Sequence, residues 1–178
     1  MKIFEVGVGD PWQSRTSQYI GSDIECCLFE PNPECFEELN NAFSKYPNFK
    51  LFNFALGDEN KIVNFFLVKG GSSFFEGVKS PEMNHNPNSE NERKKIEIPV
   101  RDIRDFDDGK IDILLLDTEG TEYPIIKNLI SRPKKIIVEM YSFGVKYKNP
   151  FFDEIMNWMK LNNYKTTSEQ EDFVFELI

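Results

Sequence analysis

Short apolar runs alternate with amphipathic stretches along most of this chain, and their order sets out its elements. Residues 3–8 (IFEVGV) are an apolar run ending in glycines, the pattern of a buried parallel strand that gives way to a tight turn. Residues 24–29 (IECCLF) predict a second strand. Asn32 then caps a helix over 33–46: Pro33 suits its first position, Glu34, Glu37 and Glu38 favour its positive end, and Phe36, Leu39 and Phe43 share one face. Residues 50–54 predict a third strand, and 61–68 (KIVNFFLV) another that stands outside the simple alternation. Residues 96–100 (IEIPV) predict a further strand, and 111–116 (IDILLL) carry the strongest central-strand signal. Thr121 caps a following helix with Ile125, Ile126, Leu129 and Ile130 on its apolar face. Residues 134–140 predict another buried strand. Asn149 and Pro150 open a helix faced by Phe152, Ile155, Met156 and Met159, and 164–168 and 172–177 close the chain as a strand pair.

Strands alternating with helices predict an α/β fold, a mainly parallel sheet with helices on both faces. With 178 residues and no internal repeat or linker, the chain reads as one domain over 1–178. Its interruption is a polar flexible insert near 70–95, whose stretch KSPEMNHNPNSENERKK holds a single apolar residue, Met83.

Composition narrows the function. A net charge of −9 repels phosphate backbones, which excludes nucleic acid as a first partner. Cys26, Cys27 and Cys35 form no CxxC pair and the one histidine, His85, lies in the polar tract, so a structural zinc site is not expected. Unpaired thiols, the lack of a signal-like N-terminus and the lack of a membrane-length apolar run predict a cytoplasmic protein without membrane partners.

Open parallel sheets bind ligands beyond the carboxyl ends of their strands. The predicted strands deliver Glu5, Gly7, Gly9, Glu30, Asn53, Ala55, Asp117, Glu119 and Glu139 to that rim. Glycines there admit positive φ and close backbone approach. Glu30 follows the turn by about 20 residues, the spacing at which an acid reaches ribose hydroxyls. The third glycine of a dinucleotide fingerprint is missing after Gly9, and no GxxxxGK[ST] occurs. A surplus of carboxylates suits a nucleoside ligand that also carries positive charge, as S-adenosylmethionine (SAM) does.

FEPNPECFEELNNAF, FNFALGDEN, IDILLLDTEGTEYPIIKNL and KKIIVEMY, in this order, resemble the FkbM-type methyltransferases from about residue 3 to residue 140. The resemblance implies a Rossmann-like three-layer sandwich with a seven-stranded sheet, mainly parallel with an antiparallel last strand. It implies SAM as cofactor and O-methylation of a small-molecule or saccharide acceptor. By position, the Glu5–Gly7 turn and Gly9 would line the methionine part of SAM, Glu30 the ribose, Asn53 and Ala55 the adenine. Asp117 and Glu119 would face the methyl and the acceptor, with Glu139 completing the rim. Ser72 and Ser73 match a serine pair of the family, and also read as a plain Gly-Gly-Ser-Ser loop.

Two departures stand out. Pro11 occupies the place of the last glycine of the family's first motif, where it fixes φ and removes an N–H. The chain also begins almost at its first strand, so the site is expected to be open unless a second subunit covers it. Asp117, Glu119 and Glu139 are the candidate general bases, Glu119 first; a metal, if any, would be a hard cation on their oxygens. A non-catalytic binding protein of the same fold and a nicotinamide-dependent oxidoreductase are the rival functions. Tyr141, Phe143 and Tyr147 are candidates to stack on the acceptor, or else to pack beneath the last helix.

Overall fold

In a computed structural model, which describes residues 1–67, 94–118, 120–142, 147–169 and 171–178, the apolar runs become the strands of one central sheet. Its members are β1 (Lys2–Val6), β2 (Glu25–Phe29), β3 (Phe49–Phe52), β7 (Ile113–Leu116), β8 (Lys135–Glu139), β11 (Tyr164–Glu169) and β12 (Asp172–Leu177). They stand in the order β11-β12-β8-β7-β1-β2-β3. The pairs from β3 through β8 are parallel, and β12 runs antiparallel to both of its neighbours. The expected seven-stranded, mainly parallel sheet with an antiparallel last strand is what forms. Sequence order jumps between β1 and β7, and the carboxyl ends of these strands face one rim.

Alternation along the strands separates two cores. Phe4, Val6, Cys27, Phe29, Leu114, Leu116, Ile136, Val138, Phe173 and Phe175 pack with Ile125 and Ile126 of α2 (Glu122–Ile126) and Ile155 and Met159 of α3 (Phe152–Leu161). On the other face Cys26 and Leu28 meet Leu39 and Phe43 of α1 (Pro33–Phe43). The side chain of Asn32 accepts from the Glu34 N–H, as its capping role predicts.

A second, three-stranded sheet was not legible as a unit. β4 (Ala55–Gly57) pairs parallel with β6 (Lys94–Asp102), which pairs antiparallel with β5 (Lys61–Leu67). Three residues are too few to show a strand pattern. The helix after β7 is also shorter than its apolar face suggests. Asp107 accepts from the backbone N–H groups of Ile130 and Ser131 and so draws that segment out of the helix. Ile130 is accordingly 56% exposed. The polar tract expected at 70–95 lies outside the described residues except for Lys94 and Lys95, and Ser72 and Ser73 lie outside them too. Among the described residues no helix is long and apolar enough to cross a membrane.

One connection shapes the site. Between β1 and β2 there is only a single 3-10 turn, Ser17–Tyr19, where a covering helix would normally pack. The loop itself closes that face of β1, and a buried strand carboxylate, Glu5, holds it there.

Candidate functional site at the carboxyl ends of the sheet

Gly7 and Gly9 make the turn that leaves β1. Both have positive φ, +77° and +66°. A Cβ on Gly7 would sit 1.8 Å from the Asp117 carbonyl oxygen, so the β1 turn and the end of β7 touch backbone to backbone. The Gly7 N–H donates to the Phe29 carbonyl (2.9 Å), and the Asp117 N–H to the Val6 carbonyl (3.0 Å). The turn is thereby laced to both neighbouring strands.

Glu30, 5% exposed at the end of β2, accepts from the Gly9 N–H at 2.8 Å and from the Asn32 N–H at 2.8 Å. It joins the glycine turn to the start of α1. A carboxylate has about four lone-pair directions, so these two bonds leave about two unused. Burial pushes the Glu30 carboxyl up to about 7, the two backbone N–H bonds work against that, and Asp117 and Asp10 add to it. Asn53 donates to the Glu30 carbonyl at 2.8 Å and ties the ends of β2 and β3 together.

Pro11 fits its place. The Gln13 N–H donates to the Asp10 carbonyl at 2.9 Å, closing a turn in which proline takes the second position. A fixed φ suits that position and no N–H is needed there. The side chain of Gln13 accepts from the Asp10 N–H at 2.9 Å and braces the same turn.

Glu5 has a different task from the one its sequence position suggests. Its oxygens accept from Ser14 Oγ (2.9 Å), the Arg15 N–H (2.7 Å), the Thr16 N–H (3.2 Å) and Thr16 Oγ1 (2.6 Å). It is 5% exposed and lashes the helix-free loop onto the sheet. Ala55 likewise spends its methyl group in the core of the small sheet, with Phe65, Ile98 and Val100.

Asp117 and Glu139 meet at the ends of adjacent strands β7 and β8, their side chains joined by a hydrogen bond. Asp117 as a residue is open to water, while its carboxyl is crowded by its neighbours. That crowding raises it to about 6; the bond to Glu139 and the charge of Arg15 oppose the rise, and Glu122 and Asp172 add to it. Glu119, Phe143 and the side chains of Tyr141 and Tyr147 lie outside the described residues. Among the described residues no cluster of His, Cys, Asp or Glu is arranged to hold a metal ion.

Two residues at the rim escaped the sequence reading. Glu122, fully buried, accepts from the Thr118 N–H (3.0 Å), Thr118 Oγ1 (2.8 Å) and the Gly120 N–H (3.1 Å) with one oxygen. Its other oxygen accepts from Asn149 Nδ2 at 2.7 Å. Asn149 also donates to the Glu139 carbonyl at 3.3 Å and accepts from the Phe151 N–H at 2.9 Å. Together they fix the loop that carries Asp117 against the start of α3. The only signal was the second glutamate of DTEGTE, which reads alone as an acid in a first helical turn.

Glu30 gives a pH test, since it is closed to solvent where Asp117 is not. A carboxyl raised in the folded state binds more protons folded than unfolded, so stability falls as pH rises from the ordinary carboxylate range to about 7. Between pH 5 and 8 the wild type is expected to lose on the order of 2 kcal/mol more unfolding free energy than Glu30→Gln. Urea titrations at several pH values check this, and equal slopes would take Glu30 out of the account.

The sequence matches the methyltransferase FkbM domain family over residues 5–166. The crystal structure of methyltransferase FkbM from Methylobacillus flagellatus KT aligns over 98% of this chain and 43% of its own, with a TM-score of 0.61 and 14% identity. That likeness concerns the fold. The CMeT domain of citrinin polyketide synthase aligns over 99% of this chain and 46% of its own, with a TM-score of 0.44 and 11% identity. The chain thus spans less than half the length of either solved structure. No curated protein matches it.

Proposed function

This chain belongs to the methyltransferase FkbM domain family, and from that premise we propose that it transfers a methyl group from SAM to a hydroxyl oxygen of a small molecule or sugar. The observation that carries the reading is Glu30: a buried carboxylate, bonded to the Gly9 turn, with lone pairs to spare beside Asp117. Gly7 and Gly9 offer approachable backbone, Glu30 suits ribose hydroxyls, and Asp117 and Glu139 suit a cation. Asn53 belongs to the same rim, near where an adenine would lie. The chemistry of these donors therefore fits the group, and Pro11 does not obstruct it, because its turn needs neither a free φ nor an N–H.

When bound, SAM supplies an activated methyl group on a positively charged sulfur whose neutral thioether is a good leaving group. The protein's part is to align the acceptor oxygen with that carbon, which contributes several kcal/mol. Its second part is to take the acceptor's proton. A raised carboxyl near neutral pH is suited to that, and the Asp117–Glu139 pair stands at the rim for it. The unpaired thiols of Cys26, Cys27 and Cys35 support a cytoplasmic setting.

Calorimetry with SAM and S-adenosylhomocysteine on the intact chain tests the reading. Binding of both in the micromolar range is expected. No heat at millimolar ligand would sink the methyltransferase reading and leave a binding protein of the same fold.

A further inference from the structure

We infer that Arg15 is a specificity-determining residue of this site: latched to Asp172, it competes with the cationic sulfur of the methyl donor for the carboxylates at the ends of β7 and β8. It thereby sets how the site discriminates the charged donor from the uncharged sulfur of the product. The inference rests on the methyl-donor reading above.

The geometry begins with the helix-free loop. Glu5 holds the backbone N–H groups of Arg15 and Thr16, so the point from which the Arg15 side chain leaves is fixed. From there its guanidinium reaches Asp172 at 2.7 Å. Asp172 is the first residue of β12 and lies in register with Glu139. In the sheet, β7 and β8 stand between β1 and β12. Three strand steps separate the two ends of the strap, about 14 Å. The strap therefore passes over the ends of β7 and β8, which carry Asp117 and Glu139.

The charges agree with that path. Burial works against the Arg15 charge, but the hydrogen bond and charge of Asp172, with Asp117 and Glu5 beyond, hold its pKa above the ordinary value. Arg15 is in turn one of the groups that keep Asp117 from rising further. Both members of the ion pair remain about one-third exposed, 37% and 34%, so the latch is reachable from solvent. Around Asp117 stand Arg15 from the loop, Glu139 from β8, Glu122 from α2, Asp172 from β12 and Glu30 just after β2. Arg15 supplies the positive charge among them.

SAM and S-adenosylhomocysteine share an amino acid and a nucleoside and differ in one methyl group and one positive charge. An arginine over the carboxylates repels that charge and is indifferent to the neutral thioether. It lowers affinity for donor relative to product, and a product that leaves the carboxylates unneutralised favours the closed latch.

The test is calorimetry of both ligands on wild type, Arg15→Gln and Asp172→Asn. Arg15→Gln is expected to raise the ratio of SAM to S-adenosylhomocysteine affinity about three- to tenfold, the scale of one partly screened charge. Asp172→Asn is expected to lower it by a similar factor, because it removes a carboxylate and leaves Arg15 unpaired beside Asp117. Both shifts should shrink in about 0.5 M salt. Each ratio is internal to one variant, so a partly unfolded sample does not distort it. A pair that merely braces the loop would move both ligands together and both variants in the same direction. Unchanged ratios, or ratios moving in parallel, overturn the role of Arg15 while the methyl-donor reading stands. Failure of wild type to bind either ligand overturns both.

Discussion

Gly7→Ala is expected to cost about 3 kcal/mol or more of stability and to abolish cofactor binding in whatever fraction remains folded. Two effects combine. At φ +77° any side chain is strained, by about 1–2 kcal/mol. The added carbon would also lie 1.8 Å from the carbonyl oxygen of Asp117, 2.7 Å from its carbonyl carbon and 3.3 Å from the Thr118 Cα. These are backbone atoms and cannot rotate aside, so β1 and β7 must part at the rim. Gly9→Ala is the control. Its neighbour is the tip of the Gln13 side chain at 2.6 Å, which can swing away, leaving the backbone strain and the loss of the Gln13 bond to the Asp10 N–H. Urea unfolding of the two variants, with S-adenosylhomocysteine calorimetry on each, separates them. A Gly7→Ala protein within about 1 kcal/mol of wild type would refute the backbone contact.

Glu122→Ala should be comparably damaging, by about 3–5 kcal/mol. It strands three donors from Thr118 and Gly120 and the amide of Asn149, all around a side chain with no solvent exposure. Glu122→Gln preserves the shape but turns an amide toward N–H groups, so it should recover only part of the loss. The effect should extend beyond stability. With the loop after β7 released from α3, Asp117 loses its fixed place beside Glu139. Ligand affinity per folded molecule should then fall, where an ordinary core truncation would leave it unchanged. Thermal melts and calorimetry on the same samples check both parts. A variant that melts like wild type would show that Glu122 does not hold the loop.

The parallel strands were legible because burial on both faces makes them continuous apolar runs, and helix α1 because its cap, first-turn proline and face all agreed. The place of Glu30 beside the glycine turn was legible because one strand-turn-strand unit sets its distance from that turn. What stayed hidden depends on partners far along the chain. Glu122 and Asn149 are 27 positions apart, and each alone reads as a residue near a helix start. Glu5 looked like a rim ligand because it stands at the carboxyl end of the first strand, beside the glycine turn. The missing fact was that the connection from β1 to β2 holds only a 3-10 turn, which leaves a strand acid to satisfy the loop on that face. The shortening of α2 followed from Asp107, a carboxylate in an unremarkable polar stretch.

The Pro11 turn has a consequence for disorder rather than for shape. A glycine-rich turn at that point samples many conformations until a ligand fixes one, and the lost freedom is subtracted from the binding energy. Here the pyrrolidine ring, the Gln13 brace and the Glu30 bond to Gly9 hold the turn before any ligand arrives. The ring and these hydrogen bonds together remove in advance much of the entropy that binding would otherwise have to remove.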